Sequence, residues 1–164
     1  MVQRGFTFIE LVIVIVILGL LAVTAVPGLI EKQTGTLASN IQRVGASLDS
    51  GIQLVYAKSA IAGIQDLPYA GNKNTQISIQ DIVIDTDFGY PDAQRTNMTR
   101  LTMWADLNAK QWDVTVDLPA PGSFVITPKE GAYSANATKQ CQVVYTEPAA
   151  VNERPHIWVQ DQGC

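Results

Sequence analysis

The sequence predicts an α+β chain. One long N-terminal helix, hydrophobic in its first half, packs through its second half against an antiparallel sheet of about four strands, and a disulfide loop closes the C-terminus. Three observations predict this. The run from Phe6 to Val26 has a single ionisable side chain, Glu10. From Leu37 to Val55, apolar residues recur at helical spacing. After residue 111 the pattern changes to period two, and two cysteines fall in that last part of the chain, Cys141 and Cys164.

The first run is about 31 Å long as a helix at 1.5 Å per residue, close to the ~30 Å hydrocarbon core of a bilayer. A carboxylate in such a run costs on the order of 2.5–3.5 kcal/mol if it sits deep, and less near the interface. A plain anchor has no use for it, and nothing else in the run offers Glu10 a partner. Arg4-Gly5-Phe6 puts a basic residue and a glycine directly ahead of the run. A secretory signal peptide would carry a small-residue cleavage site behind its apolar region. Ala22-Val23-Thr24-Ala25 offers one, but amphipathic helix follows it without a break. Cleavage after Gly5 would instead keep the run and give Phe6 a free amine. In an axially staggered neighbouring copy, that cation and the Glu10 carboxylate could neutralise each other.

Pro27 predicts a kink, since it lacks an N–H and its ring clashes with the preceding turn. Beyond it, Leu37, Ile41, Val44, Leu48, Ile52 and Val55 form one helical face. Gly35, Gly45 and Gly51 each weaken a helix by up to ~1 kcal/mol relative to Ala, so packing must hold this segment. Ala62-Gly63 predicts its end. Residues 64–95 read as mainly irregular, with turn chemistry from Asp66 to Asn74 and a short extended piece at Ile77, Ile79, Ile82 and Ile84. A short helix is expected over Thr99–Asn108.

The four expected strands are marked by Trp112, Val114 and Val116; by Phe124 and Ile126; by Val143 and Tyr145; and by Ile157 and Val159. Proline- and glycine-containing breaks separate them. Two cysteines in an exported chain point to one disulfide, with free thiols as the alternative. It would close a loop of about 22 residues, worth roughly 3 kcal/mol in the chain-entropy account.

At 164 residues the chain suits one domain plus an anchor. The net charge of −4 and the absence of a basic patch disfavour nucleic acid as a partner. No cofactor is implied. His156 is the sole histidine, too few soft ligands for a metal site. No catalytic constellation is present: there is no Gly-x-Ser-x-Gly and no phosphate-binding glycine loop, so the chain does not read as an enzyme. Asp81, Asp85, Asp87 and Asp92 share a loop that faintly resembles a calcium loop but lacks the bidentate Glu, and a solvated acidic loop is the better reading. Asn97-Met-Thr99 and Asn136-Ala-Thr138 match the N-glycosylation triplet, a pattern short enough to arise by chance. Trp104, Trp112 and Trp158 read as core or subunit-contact residues before a sugar platform.

Arg4-Gly5-Phe6-Thr7-Phe8-Ile9-Glu10-Leu11 resembles the leader and start of type IV pilins and the related pseudopilins, with Phe8 where leucine is usual. The resemblance implies the pilin fold. It also implies cleavage between Gly5 and Phe6 by a membrane-embedded prepilin peptidase, N-methylation of Phe6, and a meeting of Glu10 with the Phe6 amine of an adjacent subunit. Gly19 and Pro27 match positions between which the helix can stretch in a filament. Further on, Gly89-Tyr90-Pro91, Trp104, Trp112, Cys141 to Glu147 and the terminal Gly163-Cys164 are similar to the mannose-sensitive haemagglutinin (MSHA) pilins, as is Val12–Leu18 leading to Ala25-Val26-Pro27.

The expected organisation is then a leader (1–5), a transmembrane and filament-core helix (6–33) and a globular head (34–164). The head comprises an amphipathic helix (34–62), a variable loop (63–110) and a sheet with its disulfide (111–164). The implied partners are further copies of the chain in a helical filament, the peptidase, an assembly ATPase, a platform protein and an outer-membrane secretin. The chain would rest in the inner membrane of a Gram-negative bacterium before reaching an extracellular pilus that attaches to a host or abiotic surface or a glycan. The rival expectations are a type II secretion pseudopilin or minor pilin, and a membrane-anchored periplasmic binding domain.

Overall fold

In a computed structural model the backbone is described from Thr7 to Cys164, and side-chain surroundings for residues 7–18 and 36–164. Helix α1 spans Phe8–Ile61, and its C-terminal end falls where the sequence places it. The chain divides into two compact units, Met1–Leu37 and Ala38–Cys164.

In the second unit, strands β4 (Trp112–Val116), β5 (Ser123–Pro128), β6 (Gln142–Thr146) and β7 (His156–Gln160) form one antiparallel sheet in sequential order. These are the four strands that the period-two pattern predicts. Side chains alternate across a sheet. Phe124 therefore pairs with Tyr145, and Ile126 with Val143, on one face. Those four residues share a buried cluster with Ile41, Val44, Leu48, Ile52 and Val55 of α1. The Phe124 and Tyr145 rings stack at 4.6 Å. The Tyr145 hydroxyl donates to the carbonyl of Pro91 at 2.8 Å, satisfying a polar tip inside the core.

Two helical glycines that look like weak points are contact points. A Cβ at Gly45 would overlap the Val159 side chain, and one at Gly51 would overlap the backbone and ring of Trp104. Burial gained by close approach offsets their lower helix propensity. Gln42 adds a hydrogen bond to the Asp161 carboxylate at 2.8 Å.

The loop assigned to 63–110, expected to be mainly irregular around one short extended piece at Ile77, Ile79, Ile82 and Ile84, holds a second sheet, and those four residues lie in its first two strands. Its strands are β1 (Gln76–Ile79), β2 (Ile82–Asp87) and β3 (Tyr90–Pro91), again antiparallel. The turn residues explain the difference. Gln80 and Asp81 both have positive φ between β1 and β2, and so do Phe88 and Gly89 between β2 and β3. Two-residue hairpins with left-handed centres normally announce themselves with Asn-Gly or Asp-Gly, and neither of these does. Ile77, Ile79 and Ile84 are buried in the common core. The short helix is α2, Met98–Trp104, which ends before the expected Asn108.

Cys141 and Cys164 form the disulfide, joining the residue before β6 to the chain end. A Cβ on Gly163 would overlap the backbone of Lys139, and the Gly163 N–H donates to the Gln140 carbonyl at 2.8 Å. The last two residues thus lie flat on the segment they are bonded to.

Candidate functional site

Glu10 stands in the first turn of α1. Thr7 precedes the helix and Glu10 is its third residue, the arrangement of a capping box. The Glu10 carboxylate lies 3.5 Å from both the backbone N–H and the hydroxyl of Thr7. The carboxylate therefore has a partner of its own chain, contrary to the expectation that nothing nearby could serve. The helix N-terminus also favours a negative charge there. Both contacts are long, and the carboxylate is solvent-facing, so it stays available to a stronger donor.

The surrounding surface is unusual for a protein exterior. Phe8 is 82% exposed, Ile9 63% and Leu18 59%, and Leu11, Ile13, Ile15, Val16 and Ile17 are also at least half exposed. Contiguous apolar surface of this kind marks a contact with a partner or a membrane. Among the described residues no helix is long and apolar enough to cross a membrane, and the remainder of the expected span is outside those whose side chains are described. Gly5 and Phe6 lie outside the described residues. Gly19 and Pro27 fall within α1, and their surroundings, with the kink and stretch expected there, are likewise outside what is described.

Residues 1–26 match the prokaryotic N-terminal methylation motif. The chain carries a type IV pilin-like prepilin signal. No curated protein and no solved structure matches it. This signal points to a membrane-anchored precursor of the pilin and pseudopilin kind, a structural class rather than an enzyme class.

In the head, three of the four clustered acidic residues, Asp85, Asp87 and Asp92, serve separate protein partners. Asp85 is paired with Arg100 at 2.7 Å and accepts from Gln76 at 2.8 Å. Asp87 accepts from the Tyr69 N–H at 2.6 Å, and Asp92 from the Arg95 N–H at 2.8 Å. Among the described residues no three His, Cys, Asp or Glu side chains gather as a metal site. Burial raises the pKa of Asp87 and of Asp92 in spite of these hydrogen bonds.

Sequence reasoning missed Glu147. It follows β6, accepts from the Ala93 N–H at 2.6 Å, and donates its own N–H to the Gly122 carbonyl at 3.0 Å. It thereby ties the segment after β3 to the four-stranded sheet. Burial, with smaller contributions from Asp92, Asp87 and Asp117, raises its pKa to about 7.

Both glycosylation triplets have structural work. The Asn97 side chain caps α2 by accepting from the Arg100 N–H, and Asn136 accepts from the Thr138 N–H. Trp104 and Trp112 are core residues, whereas Trp158 is 51% exposed and stacked on His156.

Proposed function

We propose that this chain is the structural subunit of a type IV pilus of the MSHA type, which polymerises through its hydrophobic N-terminal helix and mediates surface adhesion. The observation that carries the reading is the row of exposed apolar side chains from Phe8 to Leu18 around Glu10, inside a segment that matches a prepilin signal. Residues 1–5 are the leader, 6–33 the membrane and filament-core helix, and 34–164 the head. Prepilin peptidase cuts between Gly5 and Phe6, and the new Phe6 amine is methylated. In the low dielectric of a packed helix bundle an ionised carboxylate needs a cation. The Phe6 amine of a neighbouring copy is a stronger partner for Glu10 than the long contacts from Thr7, and pairing the two sets the axial stagger of adjacent subunits. Gly19 and Pro27 let the helix extend between them as it packs. An assembly ATPase, a platform protein and a secretin carry the subunits from the inner membrane to an extracellular fibre.

The test is Glu10→Ala in cells that make the filament. Leader removal is expected to proceed normally while filament number falls sharply. Wild-type numbers of filaments from the variant would refute the role given to Glu10.

A further inference from the structure

The two sheets have four edge strands, β1 and β3 in one and β4 and β7 in the other. A bare edge is a row of backbone donors and acceptors open to another strand, and proteins guard it with charge, proline or a very short strand. Three of the four edges are guarded in this way. At β1 the Lys58 ammonium donates to the Ser78 carbonyl at 3.5 Å. Strand β3 is two residues long, and one of them is Pro91, whose carbonyl accepts from the Tyr145 hydroxyl. Strand β4 carries Asp113, ion-paired with Lys129, and stops before Asp117, which has left-handed backbone.

None of these devices is present in β7. His156-Ile157-Trp158-Val159-Gln160 contains no Lys, Arg, Asp, Glu or Pro. It pairs with β6 on one side. Among the described residues nothing hydrogen-bonds to its main chain on the other. Its side chains also leave apolar surface open. Trp158 is 51% exposed, with the His156 ring stacked on it at 5.4 Å. Val159 is 38% exposed although it lies against Gly45.

The order of residues says which strand fits this edge. Turned antiparallel against itself about Trp158, β7 sets Ile157 opposite Val159, His156 opposite Gln160, and Trp158 opposite Trp158. Apolar meets apolar and polar meets polar at every position, the matching that stabilises and registers a strand pair. A slip of one residue would put His156 opposite Val159.

We propose that β7 is a docking edge for the β7 of a second copy, joining the four-stranded sheets of two heads in an antiparallel, two-fold pair centred on Trp158. Such a contact uses one patch twice and closes on itself. It is therefore a second interface, beyond the function proposed above: it joins heads two at a time and does not extend a fibre. One strand pair is a small interface, so the association is weak and depends on concentration.

The test uses the full chain in detergent micelles. Cys141 and Cys164 are bonded to each other and no cysteine is free, so one added thiol reports one contact. Opposed residues of an antiparallel pair lie about 4.5–5.5 Å apart at Cα, within disulfide reach. Under mild oxidation Trp158→Cys should form linked dimers at least about tenfold faster than Thr115→Cys, whose thiol would stand at the exposed middle of β4. In the unsubstituted chain, the β7 amides that face away from β6 should gain protection from deuterium exchange as protein concentration rises, and those of β4 should not. Trp158→Lys should abolish that gain without lowering the melting temperature, because this side chain is outside the core. Equal cross-linking from the two positions, β7 protection indifferent to concentration, or an undiminished gain in Trp158→Lys would overturn the proposal. None of these results bears on the filament reading, which the Glu10→Ala experiment decides.

Discussion

The two ends of α1 treat apolar side chains in opposite ways. From Ile41 to Val55 every residue of the apolar face is buried at 5% exposure or less, against strands of the same chain. From Phe8 to Leu18 the side chains are of the same chemical kind, yet nearly all are exposed. Propensity does not separate the two stretches; what separates them is the origin of the covering surface. The head carries its own sheet, its own disulfide and its own polar ties. Among the described residues the N-terminal stretch has only the Thr7–Glu10 contacts, and in the proposed filament its cover comes from other copies of the chain. That contrast is what the proposed filament subunit requires.

Substitutions in the two regions should therefore differ in what they damage. Leu48 is fully buried, so Leu48→Ala should destabilise the head by about 2–5 kcal/mol. Ile13 is half exposed, and Ile13→Ala should leave the melting of the detergent-solubilised chain nearly unchanged. Equal losses in thermal or chemical melts would erase the contrast.

Removing the disulfide acts on the head alone. Cys141→Ser should cost about 3 kcal/mol, mainly by releasing the unfolded chain. Denaturant titration of the variant, compared with the reduced wild type, checks this. A variant as stable as the oxidised protein would mean that the packing of Gly163 on Lys139 holds the terminus by itself.

The smallest expected effect is electrostatic. Glu147 has a pKa of about 7 in the folded head, against an ordinary value of 4.5. Its contribution to stability is fully present below the ordinary value and is lost as pH rises through 7. Because the carboxyl is only partly buried, solvent screening reduces the effect to about 1 kcal/mol. The head should melt at a higher temperature at pH 5 than at pH 8, and Asp87 and Asp92, also raised by burial, act in the same direction. Glu147→Gln keeps the acceptor for the Ala93 N–H and should flatten part of that slope. An unchanged slope in the variant would remove Glu147 from the account.

Much of this was legible in the residue pattern, for identifiable reasons. Four alternating strands and a helical face are periodic signals that burial enforces over many residues. The strands appear where the pattern puts them, and the face is buried from Ile41 to Val55, with Leu37, expected to begin it, only half-buried. The cysteine pair was legible from its even count. Of the three-stranded sheet only the extended piece at Ile77, Ile79, Ile82 and Ile84 was legible, because its hairpins turn on Gln80-Asp81 and Phe88-Gly89, and Phe88 stands where the backbone disfavours it. Glu147 was hidden for a different reason. Its burial depends on Ala93 and Gly122, far away in sequence, and no local pattern encodes that. The Thr7–Glu10 pairing was within reach, since Thr-x-x-Glu ahead of an apolar run is a capping signature. Reading Glu10 only as a charge misplaced in lipid concealed it.

The central claim is that the exposed N-terminal stretch is covered by other copies of the chain after its leader is removed. Shearing filaments from cells, imaging them by electron microscopy and determining the mass of the N-terminal peptide tests it most directly. The account predicts that this chain is the abundant component and that it begins at Phe6 carrying one added methyl group. A chain that begins at Met1, or that is recovered only as a monomer and never in fibres, would contradict it.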